Sequence, residues 1–170
     1  MAFLGRDQHK KEDLDESLFS NLERLAALNA TRAMGAPPRA ELDDLTRAAA
    51  GRLGTPLAFM SLVDDRRVFF ASSYGQETDA ARENKREASY CQNVVTLDDV
   101  LVVDDSTEVP LVADHIATTR DGVRAYLGVP IRKDGHCLGS FCVVDTEPRE
   151  WTDGDLAVLQ QLADQATATL

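Results

Sequence analysis

The sequence predicts an α+β fold built on a mostly antiparallel sheet, and three observations carry that prediction. Two apolar runs within residues 124–145 flank Asp134-Gly135, the strongest short-range hairpin signal a sequence offers. A second pair of apolar runs, residues 57–63 and 68–75, flanks Asp64-Asp65-Arg66-Arg67 and reads as another hairpin. Segments of helical periodicity lie before and after these strands, and strands that pair in hairpins form antiparallel sheets.

In chain order, Leu14, Leu18, Leu22, Leu25 and Leu28 recur three or four apart and predict a helix of about five turns, ended by Gly35-Ala36-Pro37-Pro38. This stripe suits a dimer helix or packing against its own domain. A second helix over 39–53 buries Leu42, Leu45, Ala49 and Leu53 and stops at Gly54. After the hairpin of 57–75, residues 76–87 are too polar for a core element and read as a surface loop or loosely held helix, a potential lid. Ser89-Tyr90-Cys91 opens a short helix, Val100 to Val103 form a short strand, and Ser106 or Thr107 opens a helix through Ala113 that ends before the polar residues 118–122. At the C-terminus Thr152 is placed as an N-cap with acids in the first turn, Trp151 can staple onto Leu156, and Leu159, Leu162, Ala163 and Ala166 continue the buried stripe to an uncapped Leu170, as if the chain continued.

The central hairpin sorts its residues into faces. With Asp134-Gly135 as the turn, an unbroken register pairs Lys133 with His136, Arg132 with Cys137, Ile131 with Leu138 and so outward to Arg124 with Asp145. Ala125, Leu127, Val129, Ile131, Leu138, Cys142 and Val144 then share one face; Tyr126, Phe141, Val143, two glycines and the Arg124/Asp145 pair share the other. The second face suits either a small molecule or a second layer of core. Pro130 in the strand signals an irregularity.

Composition bounds the function. With 170 residues, 44% hydrophobic and 28% charged, the chain is expected to be a soluble single domain with added helices. No apolar run approaches the roughly 20 residues needed to cross a bilayer, and the charged residues 6–13 do not read as a secretory leader, so a cytoplasmic location is expected. A net charge of −11, from 29 acids against 18 bases, argues against nucleic acid or an anionic membrane as partner. Cys91, Cys137 and Cys142 form no Cys-x-x-Cys pair, and His9, His115 and His136 lack ligand spacing, so neither a disulfide framework nor a metal site is expected, and no cofactor is assigned.

From about Glu41 to Leu170 the chain resembles a GAF domain, a ligand-binding signalling module. The resemblance rests on four patterns: the hairpin turning at Asp64-Asp65-Arg66-Arg67; Ser89-Tyr90-Cys91; Leu101-Val102-Val103-Asp104-Asp105; and Tyr126-Leu127-Gly128-Val129-Pro130-Ile131 with Leu138-Gly139-Ser140-Phe141-Cys142-Val143-Val144-Asp145. It implies a sheet of about six strands, with terminal helices on one face and loops and short helices over a pocket on the other, as in GAF and PAS folds. It also implies that Tyr126, Phe141, Val143 and Asp145 face the pocket. Residues 1–38 would be a tail and an amphipathic signalling helix, and 39–170 the domain. The 14–34 segment and the last helix would join two copies and couple them to an effector domain or partner.

The candidate ligand-binding residues are Phe70, Tyr90, Cys91, Asp105, Arg124, Tyr126, Phe141, Val143 and Asp145. Arg124 and Asp145 suit either a cross-strand ion pair or a clamp for a polar ligand group. Cys91, at a helix start, suits redox sensing or simple filling, whereas Cys142 reads as a core residue. The ligand itself is not legible. Asn84-Lys85 lacks the remainder of the cyclic-nucleotide motif, His136-Cys137 reverses the order found at bilin attachment sites, and only His115 could serve a haem. The fold is shared by free methionine-(R)-sulfoxide reductases, but residues 116–122 lack the nucleophilic cysteine such an enzyme needs, so a non-catalytic module is expected, with a ligand-free dimerisation scaffold as the alternative.

Overall fold

The structure, a computed structural model, describes residues 10–76 and 81–170. Six strands form one antiparallel sheet: β1 Leu57–Val63, β2 Arg67–Tyr74, β3 Glu83–Lys85, β4 Leu101–Val103, β5 Ala125–Lys133 and β6 His136–Asp145, in the order β3-β2-β1-β6-β5-β4. Among the described residues five α-helices accompany it: α1 Leu22–Thr31, α2 Ala40–Leu53, α3 Cys91–Leu97, α4 Ile116–Thr119 and α5 Asp153–Thr167. The α+β class and the antiparallel sheet are those the sequence predicts. Among the described residues no helix is long and apolar enough to cross a membrane.

Each face of the sheet carries its own apolar cluster. On one face Leu42, Ala49 and Ala50 of α2, Leu159, Leu162 and Ala166 of α5, and Leu28 of α1 pack on Met60, Leu62, Leu127, Val129 and Ile131. On the other face Tyr90, Cys91, Val94 and Val95, with Leu111, Val112 and Ala117, lie over Phe59, Val63, Val68, Leu101, Val103 and Tyr126.

The central hairpin departs from the unbroken register at one position. Asp134 and Gly135 both have positive φ, as a tight hairpin turn requires, and Lys133 and Arg132 pair with His136 and Cys137 as predicted. Ile131 then pairs with Gly139, so Leu138 is an extra residue, and every later residue of β6 is displaced by one. Leu127 pairs with Val143, Val129 with Phe141, and Tyr126 with Val144. Because side chains alternate along a strand, Phe141 and Val143 turn into the helix-packed core, and Cys142 and Val144 turn to the opposite face. This corrects the predicted faces of Phe141, Cys142, Val143 and Val144, while that of Leu138 and those of β5 stand. Gly139 is required here: a Cβ would lie 1.9 Å from the Ser61 carbonyl oxygen.

Four further expectations change. The five-turn N-terminal helix is broken into 3-10 turns at Lys11–Asp13 and Glu16–Ser20 followed by α1, because the side chains of Asp15 and Asn21 accept hydrogen bonds from Ser17 N and Arg24 N and restart the backbone there. Within the predicted loop of 76–87 an exposed edge strand, β3, pairs with Arg67–Phe69; residues 77–80 lie outside the described residues. The helix expected from Ser106 to Ala113 is a single 3-10 turn, Ser106–Glu108, followed by turns, and α4 forms where polar loop was expected. Finally, α5 ends at Thr167; its start is as read, with Thr152 and Asp155 forming a reciprocal capping box.

Residues 10–31 run from one face to the other. Leu14, Leu18 and Phe19 join the Tyr90 side and Leu28 the helix side, while Arg24, 1% exposed, lies at the crossing. Its guanidinium donates to the carbonyl oxygens of Leu18 (2.7 Å), Val63 (2.8 Å) and Cys137 (3.3 Å), tying α1 to the end of β1 and the start of β6. The stripe residues Leu14, Leu18 and Leu28 are thus taken up within the chain, and Leu22, 81% exposed, is left outside.

Candidate functional site

Between the sheet and the segments that cover it lies a cavity of about 230 Å³, walled by Phe59, Phe70, Tyr90, Tyr126, Val144 and the two cysteines Cys91 and Cys142. Gln76, Asn84, Ser89 and Asp121 add its polar edge. The strands supply the floor through alternation: Phe59, Cys142, Tyr126 and Val144 all point to this face. Phe59 and Phe70 stack with their rings tilted, centroids 5.3 Å apart, and Tyr90 meets Tyr126 edge to face at 5.4 Å.

A chain of hydroxyls and thiols crosses the floor. Gly128 makes it possible, because any Cβ there would lie 2.5 Å from the Tyr126 ring, which folds over it. In that position Tyr126 Oη is 2.9 Å from Ser140 Oγ and donates to Cys91 Sγ at 3.5 Å, and Cys91 Sγ donates to Ser61 Oγ at 3.2 Å. Hydrogen bonding from Cys142, and from Ser61, Ser89 and Tyr126, favours the Cys91 thiolate and holds its pKa below the ordinary thiol value in spite of burial. Burial drives the Cys142 thiol and the Tyr126 phenol well above their ordinary values. Tyr90 Oη hydrogen-bonds Thr118 Oγ1, which fastens the α4 segment over the cavity.

The candidate residues divide. Phe70, Tyr90, Cys91 and Tyr126 line the cavity. Phe141 and Val143 do not, because the extra residue Leu138 turns them into the helix-packed core. Arg124 does not meet Asp145 through its side chain: it forms a two-pronged ion pair with Asp105, at 3.1 and 2.9 Å, while Asp145 pairs with Arg149 at 3.3 Å. That arginine also donates to the carbonyls of Leu53 and Gly54, so Asp145 helps fasten β6 to the end of α2. These acids and bases hold elements together outside the cavity. Sequence reasoning missed Phe59, Cys142 and Val144, and for the two on β6 the signal that could have found them was Gly139, since a glycine inside a strand marks a bulge or a close backbone approach.

His115 is occupied elsewhere. Its Nδ1 accepts from Ala117 N at 3.0 Å and caps α4, its Nε2 is 3.4 Å from Gln92 Nε2, and its ring stands edge-on to Tyr90. Among the described residues no group of three or more His, Cys, Asp or Glu side chains gathers as a metal site would need.

A sheet with terminal helices on one face and a covered cavity on the other defines a GAF-type module. The GAF domain family model matches residues 37–170, and the chain belongs to that family. In sequence it is 32% identical over 124 residues to a cyclic di-GMP phosphodiesterase of Pseudomonas aeruginosa, PA2567, a match that spans 71% of this chain and about a fifth, 21%, of that protein. In structure it is similar to the GAF domain of an Acinetobacter phosphoenolpyruvate-protein phosphotransferase, with TM-score 0.65, 14% identity, and 88% of this chain and 93% of that one covered. It is also similar to a type II free methionine-R-sulfoxide reductase from Thermoplasma acidophilum, with TM-score 0.64, 16% identity, and 77% and 90% covered. At these identities the two structures share the fold with this chain.

Proposed function

We propose that the chain is the non-catalytic sensory module of a cytoplasmic signal-transduction protein, and that its cavity takes a small, flat, uncharged molecule. The observation that carries this reading is the cavity wall: four aromatic rings, and no lysine or arginine among the described residues that line it. Its one carboxylate, Asp121, is already paired with Arg120 at 2.7 Å. A phosphate or carboxylate ligand would enter that space without a counter-charge and would bear the cost of desolvation, whereas a neutral ring would bury its faces against Tyr90, Tyr126 and Phe59. Tyr126 Oη and the Cys91 thiol offer it polar partners at the floor.

Occupancy reaches the rest of the protein through the two terminal helices. Filling the cavity would press on β6 and on the segment of residues 10–31 that Arg24 ties to it, and α1 and α5 would carry the change to an effector. The family resemblance and the Pseudomonas relative support such a coupling, and an enzyme of cyclic di-GMP turnover is the effector class that relative suggests. Two copies would associate along the outer side of α1, where Leu22 is exposed, and α5. The segment before β5, residues 116–122, carries no cysteine, which speaks against sulfoxide reduction.

Native mass spectrometry of the protein purified from cells, set against a denatured sample, tests the ligand reading. A small non-covalent adduct lost on denaturation is expected, together with thermal stabilisation by neutral aromatic compounds and none by cyclic nucleotides. A bare mass in both samples and no thermal shift with any compound class would overturn it.

A further inference from the structure

We propose that Cys91 and Cys142 form a peroxide-reactive thiol pair on the cavity floor, with Cys91 as the attacking sulfur and Cys142 as the resolving one. The proposal goes beyond the ligand reading: it uses the same cavity but needs no resident ligand.

Topology brings the two sulfurs together from elements far apart in sequence. Cys91 is the first residue of α3, and its Sγ lies 3.2 Å from Ser61 Oγ on β1. Ser61 pairs with Ser140 on β6, and Cys142 is the next residue of that strand on the same face. Tyr126 Oη closes the ring by touching both Cys91 Sγ at 3.5 Å and Ser140 Oγ at 2.9 Å, and hydrogen bonding from Cys142 favours the Cys91 thiolate. Both are buried residues of the cavity lining, so a small oxidant approaches them from the cavity and not through the helix-packed core. Cys137 stands apart from this group. It is absent from the cavity wall, its thiol donates to the Gly139 carbonyl at 3.3 Å, and burial pushes its pKa up to about 11.

The surroundings assign the roles. The hydroxyls of Ser61 and Tyr126 can rotate to donate to a Cys91 thiolate, and the thiolate is the nucleophilic form. Cys142, held protonated by its burial, is the poorer nucleophile of the two and is left for the second step, in which it gives up its proton as it attacks. In the first step the Cys91 thiolate attacks one peroxide oxygen, the O–O bond breaks, and the departing alkoxide takes a proton to leave as an alcohol, or as water from hydrogen peroxide. Cys91 is then a sulfenic acid. In the second step the Cys142 sulfur attacks Cys91, the S–S bond forms, the S–O bond breaks, and the Cys142 proton leaves with the hydroxide as water. Two thiols have each given one electron, and the peroxide has taken both. The cross-link would draw α3 onto β6, joining the cavity cover to the strand whose start Arg24 ties to α1.

The test is peptide mapping of the unmodified, pre-reduced chain after brief treatment with hydrogen peroxide or cumene hydroperoxide, followed by alkylation under denaturing conditions. Alkylatable thiols should fall from three to one, that one at Cys137, with the Cys91 and Cys142 peptides joined within one chain and the protein lighter by two hydrogens. Cys142→Ser should stop at a Cys91 sulfenic acid that dimedone traps, and Cys91→Ser should slow oxidation at least ~10-fold, whereas Cys137→Ser should leave the rate unchanged. Three free thiols after treatment, a cross-link through Cys137, or a bridge between chains would overturn the pair. A protein that keeps its three thiols while retaining a native adduct refutes the thiol pair alone. One that forms the cross-link but carries no adduct refutes the ligand alone.

Discussion

Asp105 shows what a charged side chain does in this fold. Arg124 donates to both of its oxygens and Thr107 to one of them, and these bonds, that from Arg124 foremost, hold its pKa at about 2 instead of 3.8. A depressed folded-state pKa stabilises the protein fully above the unfolded value, and the contribution is lost as pH falls from 3.8 toward about 2. Asp105→Asn should therefore flatten the pH dependence of unfolding in that window and leave its shape near pH 7 unchanged, as urea titrations at a series of pH values will show; an unaltered acid limb would mean that the pair does not act this way. Residues of this kind were legible as types but not as partners. Arg124 was matched with Asp145 across an unbroken register, and the actual partner comes from the turn after β4, which no strand pairing announces. Tyr90, Cys91 and Tyr126 were found because they lie at the start of α3 and on β5, whose phase the extra residue of β6 does not touch.

At the scale of elements, the decisive feature is that one extra residue. Along β6 both alternating sets, Phe141 with Val143 and Cys142 with Val144, are apolar, so periodicity cannot choose between the faces, and a shift of one reassigns all of them. Leucine spacing likewise predicted the N-terminal helix without weighing the capping bonds of Asp15 and Asn21, and β3 is too polar to read as a strand because it is an exposed edge. The hairpins, α2 with its Gly54 stop and the capped start of α5 were legible, since turn, cap and period agree there. Arg24 is the element-level joint. Arg24→Met would fill similar space but leave several buried carbonyls without their donor, and a loss of about 3 kcal/mol in urea unfolding is expected, with amide exchange rising over residues 16–31. A loss below about 1 kcal/mol would mean that α1 is held by its apolar contacts alone.

For the whole molecule, a cavity lies on one face of the sheet and the terminal helices lie on the other. If two copies meet along α1 and α5, Leu22→Glu should shift the protein from dimer to monomer in sedimentation at tens of micromolar without changing its unfolding midpoint, because Leu22 makes little contact within its own chain. A parent that is already monomeric would contradict this arrangement. The central claim is that the Cys142 and Val144 face of β6 borders open space and the Phe141 and Val143 face does not. Equilibrium urea unfolding of two neighbouring variants tests it most directly. Val143→Trp should overpack the core beneath α2 and α5 and cost about 1–3 kcal/mol or more, while Val144→Trp should project into the cavity of about 230 Å³, cost less than about 1 kcal/mol and abolish the native adduct. Equal losses in the two variants, or a larger loss for Val144→Trp, would contradict the account and mean that the space over the sheet is already filled by the protein itself.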